Sequence, residues 1–507
     1  MPPCFHHSHY TNHPSFLGNL NPVEFVFKKG VLCSEHLLLS DTELQTRSGA
    51  VFAAWLPSVP TLSSEEVDFA PLLSQAIAAQ EEEQEDHEPD DDLDGIDEEC
   101  PPPYPIIEQP PAQPPPPNKR PRPTDLADEG PPERKKLSGS HLRRKNRRAT
   151  EIPESGHTPR PSSVQQHVRP ALYIPAPFID AMALPTTSCG YLAKTEGNAE
   201  RNGRKKRRTL KEMISLGFQL VVWDGITPRP LVDSCGRIFA VLAGQPVLNG
   251  YGLAVARAFN LMKSLGSAAQ FPAAMLKHRR GLFAAINVGL TLGKGQPAPT
   301  WLDGGDHTAV VEKLIANEDV QRMATFASYA FALWAPRLHN HYVENNAKLR
   351  THCPNLRRLF PLSVFSCAAF NFATNVWSFK HRDVCNLPYG WCAIQSMGNF
   401  DATKGGHLIL WDLKMVVEFP AGALILVPSA TIAHSNIPVQ DGDERVSFTQ
   451  FTAGNLFRFT DNNGRTDKKF SEEDPEGYSR ALEQRGSRWE KGLEMFSTVD
   501  EMFVKDS

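Results

Sequence analysis

The chain has no apolar run approaching the roughly 18 to 20 residues that a membrane helix needs, and its start, MPPCFHHSHY, lacks the charged and apolar parts of a signal peptide. These absences lead us to expect a soluble protein that is not secreted and has no membrane partner. Its nine cysteines (Cys4, Cys33, Cys100, Cys189, Cys235, Cys353, Cys367, Cys385 and Cys392) are odd in number and include no C-x-x-C pair. That argues against a disulfide framework or a zinc finger and for a reducing, intracellular compartment. There is no internal repeat. Hydrophobic residues are only 40% of the 507, and 43 prolines outnumber 34 glycines, so a long unfolded portion dilutes an ordinary core. The net charge of -5, from 53 Lys+Arg and 58 Asp+Glu, by itself favours no class of partner.

The distribution of charge says more. Glu81 to Glu99 holds 13 acidic residues and no Lys or Arg, and 12 of the 23 residues from Pro101 to Pro123 are proline. Neither stretch can bury enough apolar surface to offset its ordering entropy. Lys119 to Arg148 then carries 11 Lys/Arg against 4 Asp/Glu, in clusters that read as a nuclear-import or nucleic-acid tail, or as a merely solvated one. Residues 1–168 are therefore expected to be mostly disordered tail, with a small ordered element conceivable in Val23 to Leu39 or Val51 to Leu56. Residues 169–361 read as strands and helices supporting a core, with Tyr251 to Ser267 helical and a longer helical pattern from Thr308 to Tyr342. A second basic run, Arg204 to Arg208, precedes the apolar segment Leu216 to Trp223.

Residues 362–465 are the strand-rich part. β-type runs recur at Val364 to Phe372, Val376 to Phe379, Trp391 to Met397, His407 to Trp411, Met415 to Phe419, Ala423 to Val427, Arg445 to Thr452 and Leu456 to Phe459, with turn residues between them. Closely spaced strands without intervening helices predict an antiparallel barrel or jelly roll, hence an α+β fold with flanking helices. Residues 466–507 return to helical, charged sequence.

Within this region His381-Arg382-Asp383 forms an H-x-D triplet. Residues two apart on an extended backbone point to the same side, so imidazole and carboxylate can share one metal ion. His434, 53 residues on, can complete a face of two histidines and one carboxylate, which leaves open positions and suits non-haem Fe(II). The triplet alone is weak, because an unrelated surface His and Asp explain most such matches. Arg445, 11 residues past His434, and Ser447 on the same strand face can bind the far carboxylate of 2-oxoglutarate. Taken singly, Arg445 reads as an ion pair with Asp443 or Glu444. His407 could be mistaken for a ligand, but the spacing prefers His434. Cys385 and Cys392 read as buried thiols.

These residues, with Val384 to Asn386, Gly390 to Ile394, Gly405 to Leu408, Pro428 to Ala430, His434 to Asn436 and Arg445 to Gln450, resemble the TET/JBP group of Fe(II)- and 2-oxoglutarate-dependent nucleic-acid dioxygenases, in particular its fungal members. Gly281 to Phe283, Gly289 and Gly293 to Gln296 look like the strand and glycine turn that precede the barrel in that family. The resemblance implies a double-stranded β-helix (jelly-roll, cupin-like) core. It implies Fe(II) bound by His381, Asp383 and His434, 2-oxoglutarate held by Arg445 with Ser447, and ascorbate as reductant in an assay. It also implies that Asn386 contacts a flipped methylated base in DNA, and it makes the activity oxidation of 5-methylcytosine to 5-hydroxymethylcytosine and beyond. Animal members carry a base-contacting His eight residues after the arginine; here that position is Ala453, a departure that bears on the substrate base. The same chemistry on thymine, RNA or a protein side chain, and a non-catalytic DNA-binding protein, are the alternatives. Trp391, Phe400 and Trp377 are candidates for stacking on a base or for core packing. Arg204 to Arg208 could contact phosphate or serve as an import signal, and Arg279-Arg280 could contact phosphate or form a solvated turn. The basic runs point to the nucleus and its import machinery.

Overall fold

A computed structural model describes residues 26–28, 31–33, 139–195, 205–247, 250–293 and 295–503. The chain divides into two compact units, Met1–Glu88 and Pro89–Ser507. In the first, β1 (Val26–Lys28) and β2 (Val31–Cys33) pair antiparallel, Val26 opposite Cys33, inside the segment where a small ordered element was conceivable. The acidic stretch, the proline-rich stretch and most of the basic run from Lys119 lie outside the described residues.

The second unit carries two sheets. Its strands are β3 (Ile174–Pro175), β4 (Gln219–Val221), β5 (Arg229–Val232), β6 (Ile238–Gly244), β7 (Ala284–Thr291), β8 (Thr300–Trp301), β9 (Cys367–Phe372), β10 (Cys392–Asn399), β11 (Leu408–Leu410), β12 (Met415–Val417), β13 (Leu424–Val427), β14 (His434–Asn436) and β15 (Glu444–Phe451). The large sheet runs β3-β5-β6-β13-β10-β15-β9-β7-β8 and the small one β14-β11-β12-β4. From β9 onward the chain alternates between them: β9, β10, β13 and β15 join the large sheet, while β11, β12 and β14 join the small one.

Side-chain alternation along the strands explains how each sheet is covered. In the small sheet Leu408, Leu410, Met415 and Val417 enter the main apolar cluster together with Ile394, Leu424 and Leu426 of the large sheet. Ile409 and Val416, one residue out of phase, pack instead with Met213, Phe218 and Ile437 on the other face. Met213 belongs to the helix Leu210–Ser215, whose first turn is capped by the Thr209 hydroxyl accepting from the Glu212 N–H. On the large sheet, Val446 and Phe448 of β15 and Ala368, Phe370 and Phe372 of β9 pack with residues of the helices Tyr251–Ala269, Thr308–Ala316 and Glu318–Trp334. That closes one face with hydrocarbon and leaves Arg445, Ser447 and Thr449 on the other. Between β10 and β15, Gly398 lies opposite Arg445 with φ +145°, and a Cβ there would stand 2.0 Å from the Glu444 carbonyl oxygen, so glycine is what lets the two backbones approach.

Five expectations need correction. Leu456 to Phe459 is not a strand but part of the helix Gly454–Asp461, which buries Leu456, Phe457, Phe459 and Thr460; a run this short does not distinguish the two periods. Val376 to Phe379 makes only isolated bridges, with Val376 N–H bonding the Arg445 carbonyl and Phe379 N–H the Arg280 carbonyl. The helical pattern from Thr308 to Tyr342 is three helices, broken where Asn317 caps Glu318–Trp334 and where Pro336 opens Pro336–His352. The boundary at residue 168 lies too late. A helix spans Gly139–Ser155, His157 Nε2 donates to the Leu362 carbonyl at 2.8 Å, Tyr329 donates to the Ser163 hydroxyl at 2.9 Å, and Val168 is fully buried in the main cluster. Nor does residue 361 divide support from core, since β3, β5, β6, β7 and β8 extend the same sheet as β9 to β15. After residue 466 the helices are Asp467–Glu473, Pro475–Glu483, Arg485–Leu493 and Val499–Phe503, and Trp489, Leu493 and Met502 reach the main cluster. Among the described residues no helix is long and apolar enough to cross a membrane.

Candidate metal centre

His381 and His434 pair as an antiparallel bridge, each donating its backbone N–H to the other's carbonyl, at 3.0 and 2.9 Å. Their ring centroids are consequently 4.3 Å apart. Asp383, two residues on, reaches back to both: Oδ1 lies 3.8 Å from His381 Nε2 and Oδ2 lies 3.7 Å from His434 Nε2. One donor atom from each of the three residues falls within 4.8 Å of the others, the one such three-residue group among the described residues.

The hydrogen bonds behind the rings decide which nitrogen is available. His381 Nδ1 is 2.8 Å from the Phe379 carbonyl and His434 Nδ1 is 3.0 Å from the Ile432 carbonyl. A carbonyl only accepts, so both Nδ1 atoms carry the proton and both Nε2 lone pairs face the carboxylate. Metal-binding imidazoles are oriented in the same way, by an acceptor on the ring nitrogen that points away from the ion. Burial, reinforced by His434, pulls the His381 pKa well below the usual histidine range, so the ring is neutral, as a ligand must be. Burial alone would raise the Asp383 pKa, but the Arg280 guanidinium at 3.8 Å outweighs it and holds the carboxyl ionised far below the usual carboxylate range. Asp383 Oδ1 is buried with no hydrogen-bond partner. Two imidazoles held with Nε2 forward and an ionised, incompletely satisfied carboxylate fit a divalent ion of the Fe(II) kind.

Arg445 is 1% exposed, and its Nη1 donates to the Val376 carbonyl at 2.7 Å. Its Nε has no partner, it makes no ion pair, and burial lowers its pKa to about 10. Among the described residues neither Asp443 nor Glu444 pairs with it, and Glu444 is bound to Lys263 instead. A buried guanidinium with no counter-ion calls for an anionic ligand. In register with Ser447 stand Ser396 on β10 and Asn371 on β9, and Asn371 Nδ2 donates to the Ser447 hydroxyl at 2.9 Å. Asn371 was not foreseen from sequence; its register opposite Ser447 becomes visible only once the strands are paired.

Other sequence candidates separate clearly. Asn386 Nδ2 donates to the Ser429 hydroxyl at 3.1 Å, and the backbone of Asn386 bridges to Ala453, so the position that departs from the family pattern lies directly across from it. Arg280 faces Asp383 at 3.8 Å rather than standing in a fully solvated turn. His407 is outside the triad yet fully buried, and both ring nitrogens lack a partner. Trp391 is core: 1% exposed, with its indole N–H on the Phe239 carbonyl. Trp377 and Phe400 remain half-buried. Cys392 is a buried thiol whose pKa burial pushes up, while Cys385 is half-buried.

No family model matches the chain, and no curated protein does. Among solved structures it is similar to NgTET1 in complex with 5mC DNA (14% identity, TM-score 0.34, 46% of this chain and 82% of that one). It is also similar to a 2OG-Fe(II) oxygenase family oxidoreductase from Burkholderia pseudomallei (14%, 0.22, 39% and 77%). A third is the viral collagen prolyl hydroxylase of Paramecium Bursaria Chlorella virus-1 in its 2OG complex (14%, 0.15, 18% and 59%). At this identity and these scores, the functional reading rests on the chain's own geometry.

Proposed function

We propose that the protein is an Fe(II)- and 2-oxoglutarate-dependent dioxygenase that oxidises 5-methylcytosine in DNA to 5-hydroxymethylcytosine and further. The observation that carries the reading is Arg445: a fully buried, uncompensated guanidinium on one sheet of a strand path whose other sheet brings His381 and His434 together. The alternation of β9 to β15 between two sheets supports a double-stranded β-helix core. Bound Fe(II), with O2 and 2-oxoglutarate, supplies the oxidation of an unactivated methyl group.

The chain's residues do the rest. His381 and His434 offer Nε2 lone pairs held in place by backbone carbonyls, and Asp383 supplies the negative charge of the set. Arg445 pairs with the far carboxylate of 2-oxoglutarate, and Ser447, oriented by Asn371, adds a hydroxyl beside it. The apolar side chains shared by the two sheets keep water from the centre. A methyl group on a stacked base cannot reach a buried centre, so the nucleotide must be extruded at a cost of a few kcal/mol. The resemblance supports Asn386 as the residue that contacts the extruded base, and Trp377 and Phe400 are half-buried rings that could stack on it. The basic runs Lys119 to Arg148 and Arg204 to Arg208 fit nuclear import.

Incubation with methylated duplex, Fe(II), 2-oxoglutarate and ascorbate, followed by nucleoside mass spectrometry, tests the assignment. Oxidised cytosine is expected; unchanged 5-methylcytosine without succinate would remove it. Ala453 across from Asn386 favours a second reading, the same chemistry on thymine, RNA or a protein side chain, which succinate production stimulated by one of those substrates alone would select.

A further inference from the structure

The second basic run plays no part in the metal centre. Arg204 lies outside the described residues; Lys205, Lys206, Arg207, Arg208 and Lys211 lead into and begin the helix Leu210–Ser215. Arg208 reaches Trp411, its guanidinium 5.5 Å from the ring centroid, and the Lys380 ammonium lies 5.1 Å from the same ring. Lys380 immediately precedes His381. The Trp411 indole N–H donates to the Ser435 hydroxyl at 2.9 Å, and Ser435 immediately follows His434. Side chains alternate across a strand, so Lys380 and Ser435 point away from the face that carries the two imidazoles. Trp411 belongs to the apolar cluster of Met213, Phe218, Ile409 and Val416 on that reverse face. The contacts therefore fasten the basic run to the back of the two ligand-bearing segments.

Charge accumulates there. The Lys414 carbonyl accepts from Gln219 N–H at 2.8 Å, which brings the turn between β11 and β12 beside the strand that follows the helix. Lys205, Arg207, Lys211 and Lys414 are exposed and carry no ion pair among the described residues. Two described carboxylates nearby are already engaged: Glu212 by Lys206 and Arg208, and Asp412 by Arg382 and the Ala433 N–H. Four unpaired cations around a cation-flanked indole are complementary to a polyanionic backbone.

We infer that this strip, Lys205, Arg207, Lys211 and Lys414 about Trp411, binds the phosphate backbone of DNA. The inference rests on the proposed DNA substrate for its biological meaning, but its test does not depend on turnover. Fluorescence anisotropy with a labelled duplex across a salt series compares the full chain with the variant Lys205→Ala/Arg207→Ala/Lys211→Ala/Lys414→Ala. Each lost phosphate contact removes about 0.9 from the slope of log K against log salt. The variant is expected to bind at least about tenfold more weakly and to lose between about 2 and 4 units of slope. The control Lys205→Arg/Arg207→Lys/Lys211→Arg/Lys414→Arg keeps the charge and retains the slope. Thermal melting checks that all three proteins are folded. An unchanged slope overturns the inference, including the cases in which the run serves import alone or binds phosphatidylserine vesicles instead. Oxidised base is scored separately on the unaltered chain: if none forms while the slope still falls in the variant, the strip stands and the substrate assignment fails.

Discussion

His381 and His434, 53 residues apart in the chain, exchange both of their backbone hydrogen bonds. The spacing of the two imidazoles is thereby set by main-chain pairing rather than by side-chain packing. Because each Nδ1 is also tied to a carbonyl, the rings can neither flip nor change tautomer without breaking a buried bond. The pair is preorganised for a third ligand, and Asp383 lies under 4 Å from both.

Arg445 has a cost that the folded protein bears for its ligand. Replacement by Met removes a buried cation that lacks a counter-ion, and gives up the bond to the Val376 carbonyl. The net effect expected for Arg445→Met is about 1 to 3 kcal/mol of stabilisation, by analogy with buried ionic groups replaced by hydrocarbon. Differential scanning calorimetry without 2-oxoglutarate should show a melting temperature a few degrees higher. The same variant should lose the further rise in melting temperature that 2-oxoglutarate gives the unaltered chain. A variant that melts lower and still responds to 2-oxoglutarate would show that the guanidinium is structural.

The segment before residue 168 introduces a dependence on acid. His339 is buried, and burial lowers its pKa to about 3, with His157 at a ring distance of 6.0 Å adding to the effect; His157 itself is lowered by burial. An unfolded histidine takes up its proton near 6.5, so the unfolded state binds more protons over the interval from about 6.5 down to about 3. The stabilisation from the neutral rings is complete above that interval and falls as pH drops through it, by at most about 1.4 kcal/mol per unit for each group. Urea unfolding at a series of pH values should show this slope, and His339→Gln should make it shallower.

Truncation tests the corrected boundary. A chain beginning at Val168 loses the His157–Leu362 and Ser163–Tyr329 bonds and uncovers the buried His339. It is expected to melt several degrees below a chain beginning at Gly139. Equal melting temperatures would mean that the segment adds nothing to the fold.

Much of the centre was legible because its signals are local or rigidly spaced. H-x-D needs only the two-residue period of an extended chain, and Arg445 and Ser447 share a strand face for the same reason. The residues that depend on pairing were not legible. Asn371 gains meaning from its register against Ser447, Arg280 from an isolated bridge at Gly281 that brings it to Asp383, and Ala453 from its bridge to Asn386. The fold divides in the same way. β-rich runs from Val364 to Thr452 gave most of the strands, but β14 is only three residues long and one of them is a histidine, so propensity could not mark it. The leading segment was misplaced because composition averages over windows, while its attachment depends on a few residues: Val168, Ser163 and His157.

The central claim is that His381, Asp383 and His434 hold one ferrous ion and that Arg445 holds the oxoacid beside it. Anaerobic titration with Fe(II) and then 2-oxoglutarate, followed by visible absorption, addresses both parts together. One iron per chain is predicted, with a charge-transfer band that appears only when 2-oxoglutarate is added. Asp383→Ala should weaken iron binding by more than about 100-fold, since even outer-shell changes cost 10- to 100-fold, while Arg445→Met should keep the iron and lose the band. Iron uptake that is absent, or that Asp383→Ala leaves unchanged, would contradict the account.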